Sequence, residues 1–317
     1  MSEEREMLRE TVATLVAKHA NPAAVRAAME SDRGYDESLW QLLCEQVGAA
    51  ALVIPEELGG AGGELADAAT VLQELGRALV PSPLLGTTLA ELALLAAPEP
   101  DAETLGGLAE GTSIGALVLD ADYVVNGDIA DVVVAVDDDG QLSRWTRFGA
   151  QPVTTMDPTR RLAQLKAEAT EPIGTDPGIA DSAAILLAAE QIGAAERCLE
   201  LTVEYAKNRV QFGRPIGSFQ ALKHRMADLY VAIAAAKAVV ADSCNEPTPS
   251  NAATARLAAT EALCTAAAEG IQLHGGIAIT WEHDMQLYFK RAHGSAHLLS
   301  TPQELLARLE AEVLGTS

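Results

Sequence analysis

Apolar residues recur at steps of three and four through the first part of the chain: Leu8, Val12, Leu15 and Val16, then Leu39, Leu42, Leu43 and Val47. That spacing puts each set on one face of a helix and predicts amphipathic helices turned toward a common core. Around residues 53–65 the text IPEELGGAGGEL, with one proline and four glycines, stops the period, which resumes over residues 68–79 before PSPLL. The GGAGG run follows no clear strand and no Lys-Ser/Thr comes after it, so it reads as a turn between two helices rather than a phosphate cradle.

From residue 114 to about 173 the pattern changes to short β-like runs: ALVLDADYVVNG, ADVVVAVDDDGQLSRWTRF and PVTTM. Residues 132–136 read as a strand and Asp139-Gly140 as a hairpin turn. After Pro177 the helical period returns. Leu199, Val203 and Ala206 share one face, and Leu222, Met226, Leu229, Tyr230 and Ile233 share another. NEPTPSN breaks the pattern before an Ala-rich helix over residues 252–272. The expectation is a mainly α fold: an N-terminal helical domain (1–113), a reduced β-domain (114–176) and a C-terminal helical bundle (177–317).

Composition narrows the function. Of the 317 residues 49% are apolar but only 4% aromatic, which favours helices packed through small side chains. The net charge of −23 disfavours nucleic acid or an anionic membrane as partner, so an anionic ligand needs a local basic patch. Cys44, Cys198, Cys244 and Cys264 lie in no metal-ligand spacing and read as free thiols, so no metal is expected. The opening MSEEREMLRE is charged and is not a secretory apolar segment, and no apolar run reaches membrane-spanning length. These features give a cytoplasmic expectation.

Two segments carry candidate chemistry. In EYAKNRVQFGRPIGSFQALKHRMADLY, residues 204–230, Gly213 and Pro215 break the helical spacing after Arg209, and helix restarts near Phe219. The turn presents Arg209, Gln211 and Phe212 together. A guanidinium offers forked donors to a pyrophosphate, and a phenyl ring offers an apolar face to a purine. The plainer reading is a helix corner with Phe212 in the core and Arg209 capping carbonyls. In EGIQLHGGIAITWEHDMQLYFKRA, residues 269–292, a helix stops at Gly275-Gly276 and another begins after Trp281. Gly-Gly admits close backbone approach, with Gln272 beside it as donor and acceptor. The plainer reading is a glycine C-cap, with Trp281 and Tyr288 as core anchors.

Taken together, the two segments resemble the C-terminal domain of the acyl-CoA dehydrogenase family, which carries R-x-x-F-G with a later Gln, and Q-x-x-G-G. The matching residues are Arg209, Phe212, Gly213 and Gln220, then Gln272, Gly275 and Gly276, and PEELGG at residues 55–60 matches the family's N-terminal domain. The resemblance spans nearly the whole chain. It implies an N-terminal helical domain, a middle β-domain and a C-terminal four-helix bundle, assembled as tetramers with FAD across a subunit interface. It also implies that Arg209, Gln211, Phe212, Phe219 and Gln220, with Gln272, Leu273, His274, Gly275 and Gly276, hold the adenosine diphosphate half of FAD. An acyl-CoA is the implied substrate and an electron-transfer flavoprotein an implied partner.

The family's reaction needs a carboxylate base. At its two usual positions this chain aligns Ala292, in LYFKRAHGSAHLL, and Ala183, in DSAAILLAAEQIG. Glu190, Glu196 and Glu282 are nearby acids whose ordinary roles are on solvated helix faces or caps, and Asp181 falls on a different helix face. No catalytic residue is assigned. The family's Thr-Glu-Pro-like strand and Trp-containing flavin segment are also not recognisable in residues 114–173. Both losses resemble the smaller, base-lacking subunit of heteromeric α2β2 acyl-CoA dehydrogenases of bacterial steroid side-chain degradation, whose larger partner supplies base and flavin pocket. The expectation is a subunit that is inactive alone. The alternatives are a self-sufficient homomer with a displaced base, and a structural homologue that binds neither flavin nor thioester.

Overall fold

The computed structural model describes residues 2–315. The N-terminal part comprises α1 (Glu3–His19), α2 (Pro22–Met29), α3 (Glu37–Leu42), which continues as a π-helical turn at Leu43–Val47, then α4 (Leu65–Arg77), α5 (Leu84–Leu95) and α6 (Ala102–Ala109). Local chemistry sets their starts. The side chains of Ser2, Asn21, Asp36 and Asp101 accept from backbone N–H groups of the first turns of α1, α2, α3 and α6. Glu64 and Asp67 form a reciprocal capping box at α4. The glycine-rich segment is the expected interhelical turn. A Cβ on Gly60 would lie 2.0 Å from the Ile54 carbonyl oxygen, so only glycine fits there.

A five-stranded sheet follows: β1 (Gly115–Val118), β2 (Val124–Val125), β3 (Val132–Val136), β4 (Gln141–Val153) and β5 (Leu162–Thr175), in the order β1-β3-β4-β5-β2. β1 and β3 are parallel and the other pairs antiparallel. Residues 132–136 form the expected strand, and Gly140 (φ 70°) turns the hairpin into β4 while Asp137 Oδ1 accepts from the N–H groups of Asp139 and Gln141. The run PVTTM is not a strand of its own. Its first two residues end β4 and the rest lead toward β5, which periodicity did not single out because the β4–β5 ribbon has little buried surface over much of its length.

The C-terminal part comprises α7 (Ile179–Asn208), a two-residue hairpin of β6 (Val210–Gln211) and β7 (Arg214–Pro215), α8 (Gln220–Asn245), α9 (Pro249–His274), α10 (Met285–Ala296) and α11 (Pro302–Leu314). The central helix is α7, buried almost all round over residues 183–195. It crosses α4 at glycine on both sides: a Cβ on Gly193 would lie 1.8 Å from the Gln73 carbonyl oxygen, and one on Gly76 would lie 2.2 Å from that of Glu190. One apolar core runs continuously from the N-terminal helices into the bundle, and a smaller one lies against the sheet. No helix among the described residues is long and apolar enough to cross a membrane.

Candidate functional site

At the end of α7 the chain leaves the helix at Arg209, whose N–H still donates to the Tyr205 carbonyl at 2.8 Å. The β6–β7 hairpin then turns through Phe212 (φ 52°) and Gly213 (φ 78°). Two consecutive left-handed residues make the tight turn that matches strand twist, but at Phe212 the conformation costs about 1 kcal/mol or more. The strain does not bury the ring. Phe212 is 92% exposed, which removes the reading that placed it in the core. Its edge meets Phe219 at 6.2 Å, and the Arg214 guanidinium lies 4.0 Å over the Phe219 ring. The Gln211 amide turns back to the Val210 carbonyl, and Gln220 is exposed at the first turn of α8.

The second segment meets the first at Tyr205 and at Arg225. His274, at the end of α9, stacks on Tyr205 of α7 with ring centroids 4.4 Å apart, and its Nδ1–H donates to the Gly270 carbonyl at 2.7 Å. Burial holds the imidazole below its ordinary pKa. Leu273 and His274 are therefore inside the bundle, and at these two positions only backbone remains for a ligand outside it. Gln272, Gly275 and Gly276 are exposed. Gly275 closes the helix with φ 69°, whereas Gly276 has ordinary backbone and a Cβ there would meet nothing of this chain. Neither conformation nor internal packing calls for glycine at Gly276, and its exposed backbone is open to close approach from outside.

The electrostatics point the same way. Residues 207–225 contain Lys207, Arg209, Arg214, Lys223 and Arg225 and no acid, in a chain of net charge −23. Arg225 pairs with Glu269 at 2.5 Å, while the other four form no salt bridge among the described residues. Exposed apolar side chains surround them: Val210, Ile277 and Ile279 beside the turns, and Tyr230 and Val231 on the outer face of α8. Tyr230, grouped by periodicity on one face with Leu229 and Ile233, points out while those two are buried, and Trp281 is half exposed between the Arg26 and Lys290 side chains. Unpaired cations, an exposed phenyl ring and an unobstructed glycine suit the phosphates and purine of a dinucleotide.

Ala183 lies in α7 and Ala292 inside α10, both fully buried. The AHGSAH text is thus helix rather than a turn, and the turn between α10 and α11 instead contains Leu299 (φ 65°), with no acid between Met285 and Gln303. Glu190 is not on a solvated face. It is buried and accepts from both Arg160 and Arg291. Arg291 also holds Asp157 at 2.7 Å and the Thr159 carbonyl at 2.9 Å. Glu196 pairs with Lys237 at 2.8 Å and with Arg77 at 3.6 Å, Asp181 pairs with Arg308, and Glu282 is exposed. Sequence reading missed this seam. Its one local signal was Arg291 on the face of α10 that also carries the apolar Leu287 and Tyr288. All four cysteines are free, and burial raises every thiol, Cys44 to about 12 and Cys244 to about 11, which leaves none primed as a nucleophile. Among the described residues no three His, Cys, Asp or Glu gather as a metal site.

A helical N-terminal domain, a small sheet and a helical bundle with a basic, aromatic corner define an acyl-CoA dehydrogenase architecture. The family model for the acyl-CoA dehydrogenase N-terminal domain matches residues 2–112 and that for the C-terminal domain residues 179–298, and the chain belongs to this family. It is 84% identical over 311 residues to the acyl-CoA dehydrogenase IpdE2 of Mycobacterium tuberculosis, covering 98% of each chain. It is 67% identical over 313 residues to IpdE2 of Mycolicibacterium smegmatis, covering 99% of this chain and 100% of that one. Among solved structures it is similar to a chain of the Tcur3481-Tcur3483 steroid ACAD G363A variant, with TM-score 0.87 and 27% identity over 99% of this chain and 98% of that one. It shares its fold with a chain of the ChsE4-ChsE5 complex from Mycobacterium tuberculosis, with TM-score 0.88 and 24% identity over 100% and 99%.

Proposed function

We propose that this chain is the base-lacking subunit of a heteromeric, FAD-dependent acyl-CoA dehydrogenase acting on an acyl-CoA thioester, with a steroid-derived acyl group as the substrate class. The observation that carries this reading is the corner itself: four cations without salt-bridge partners among the described residues and a strained, exposed Phe212, on a chain otherwise dominated by acids. Arg209 supplies forked donors to a pyrophosphate, Phe212 and Phe219 flank the adenine, and Gln211, Gln220 and Gln272 supply amide groups. Gly275 and Gly276 let backbone approach the same ligand. When bound, FAD accepts the hydride released as the thioester is desaturated.

The residues aligned with the family's base, Ala183 and Ala292, carry no ionisable group, and Glu190, Glu196 and Asp181 are held in ion pairs. A larger acyl-CoA dehydrogenase subunit therefore supplies the base and the flavin-ring pocket, and an electron-transfer flavoprotein reoxidises the complex. Similarity to chains whose structures are described as a steroid ACAD and as a two-component complex supports this division.

The test is co-expression with a larger dehydrogenase subunit, read by flavin absorbance and native mass. The expected result is a stable complex carrying FAD, in which Arg209→Ala and Phe212→Ala each lower flavin retention at least tenfold without separating the subunits. An isolated chain that retains stoichiometric FAD and oxidises an acyl-CoA refutes the division of labour. A flavin-free active complex refutes the cofactor role.

A further inference from the structure

The seam between sheet and bundle contains more positive charge than negative. Asp157 is fully committed: one oxygen accepts from Arg291 at 2.7 Å, and the other accepts from the Thr159 N–H and hydroxyl at 2.9 and 2.5 Å. A single oxygen of Glu190 is shared by Arg160 and Arg291. Arg256, fully buried, meets no carboxylate. Its donors go to Gln191 Oε1 at 2.7 Å, to the Thr260 hydroxyl, and to the carbonyls of Ser295 and Leu298, the last at 3.3 Å. Three guanidinium groups thus face two carboxylates, and the Nε atoms of Arg160 and Arg256 are buried without hydrogen-bond partners among the described residues. A buried cation without a counter-ion is costly unless an anion reaches it.

Two openings adjoin Arg160. One measures about 20 Å³, which is room for a single water. The other is a cavity of about 330 Å³ whose lining combines the apolar Tyr123, Met156, Leu162 and Leu298 with Arg160, His293, His297 and Asp157, the last with both oxygens already engaged by Arg291 and Thr159. Leu298 separates it from Arg256, whose donor its carbonyl accepts. The surplus charge therefore borders, through Arg160, a partly apolar recess at the small end of the usual range for ligand pockets.

We propose that this recess is a binding site for a small apolar monocarboxylate, with the carboxylate drawn to Arg160 and the apolar body against Tyr123, Met156 and Leu162. The site uses no residue of the corner at the end of α7, so it stands or falls independently of the flavin assignment. Fixed positive charge at Arg160 beside apolar walls favours an acid over its neutral isostere, because the alcohol fills the same volume but leaves the surplus charge unanswered.

The full chain is titrated with cyclohexanecarboxylate and, as neutral control, cyclohexanemethanol, by ligand-observed NMR and calorimetry. The acid is expected to bind at least tenfold more tightly than the alcohol. Arg160→Gln is expected to weaken the acid at least tenfold. Because that substitution also disturbs Glu190, Met156→Trp gives an independent check: Met156 is half exposed, and the larger ring fills the recess while every member of the ion pairs is retained. It is expected to abolish acid binding while the circular dichroism spectrum stays unchanged. No binding at millimolar acid, equal binding of acid and alcohol, or acid binding that survives Met156→Trp in a folded chain each overturns the proposal.

Discussion

The corner at the end of α7 and the seam around Arg291 are both rich in arginine and treat it in opposite ways. In the seam, guanidinium groups drawn from the β4–β5 connection, α9 and α10 are buried and bonded to carboxylates, hydroxyls and carbonyls from distant parts of the chain. In the corner, Arg209 and Arg214 stand exposed without salt bridges among the described residues, close to a phenyl ring held out in a left-handed turn. Burying an ion requires partners within the chain, whereas an exposed cation beside an exposed aromatic gains little unless something outside arrives. The seam is therefore an instrument of folding. The corner is where we propose that binding takes place.

Breaking the seam should have the largest effect on stability. Arg291→Met strands Asp157 without its counter-ion and leaves Glu190 to Arg160 alone, and removal of one partner from a buried pair costs about 3–5 kcal/mol. Urea denaturation of the variant should show a loss of that size. Adding Asp157→Asn to the same chain should recover part of it, since Glu190 keeps Arg160 and no stranded carboxylate remains. If the single and double variants are equally stable, the seam is not held by its charges. Gly193→Ala tests the adjoining helix crossing. A methyl 1.8 Å from the Gln73 carbonyl oxygen forces α4 and α7 apart, and overpacking of this kind costs about 1–3 kcal/mol. Denaturation should report a loss in that range, with Gly276→Ala at the corner as a neutral control for stability.

The same contrast explains what could be read from the sequence. The corner was legible because its parts are local. Arg209, Phe212 and Gly213 lie within five residues, and a break in the helical period marks them. The helices were legible wherever one face was buried and the other wet. The seam was not, because Glu190 and Arg291 are 101 positions apart and each looks like an ordinary helix charge until α7 and α10 pack together. Ala292 was placed at a turn because His293-Gly294-Ser295 looks like one, yet Gly294 is accommodated inside α10, facing Asp157, where a Cβ would come within 3.2 Å of the Asp157 Cβ. Tyr230 was grouped with Leu229 and Ile233 by its spacing, but α8 has an outer apolar face as well, and periodicity cannot tell a face packed in the chain from one left exposed.

Glu91 is where the contrast is most exposed to failure, because it is a buried charge-bearing group in the interior with no partner. It is fully buried in α5, and neither carboxyl oxygen has a hydrogen-bond partner among the described residues. Burial holds its pKa well above the ordinary value of 4.5. The group is therefore protonated in the fold at pH values where it ionises in the unfolded chain. Its contribution to stability is complete below pH 4.5 and is lost as pH rises toward the folded value. Glu91→Leu removes both the titration and an unsatisfied buried group, and should raise stability by about 1–3 kcal/mol. The gain should be larger at pH 8 than at pH 5 in paired urea titrations. A gain independent of pH means that Glu91 titrates normally and has found a partner.

The smallest effect on stability should come from the corner, and there a null result is informative. Phe212→Gly relieves a left-handed conformation worth about 1 kcal/mol, while glycine adds about 0.5–1 kcal/mol of unfolded-state entropy. Because the ring is 92% exposed, little packing is lost. The two backbone effects nearly cancel, so the urea midpoint should stay within about 0.5 kcal/mol of the parent chain. Flavin retained by the heteromeric complex should nevertheless fall with the loss of the ring. A residue that can be removed without cost to the fold, at a backbone conformation that carries strain, is placed for a contact the isolated chain does not make. If Phe212→Gly destabilises the chain by more than about 1 kcal/mol and leaves flavin retention intact, the ring belongs to the fold and the distinction between seam and corner fails.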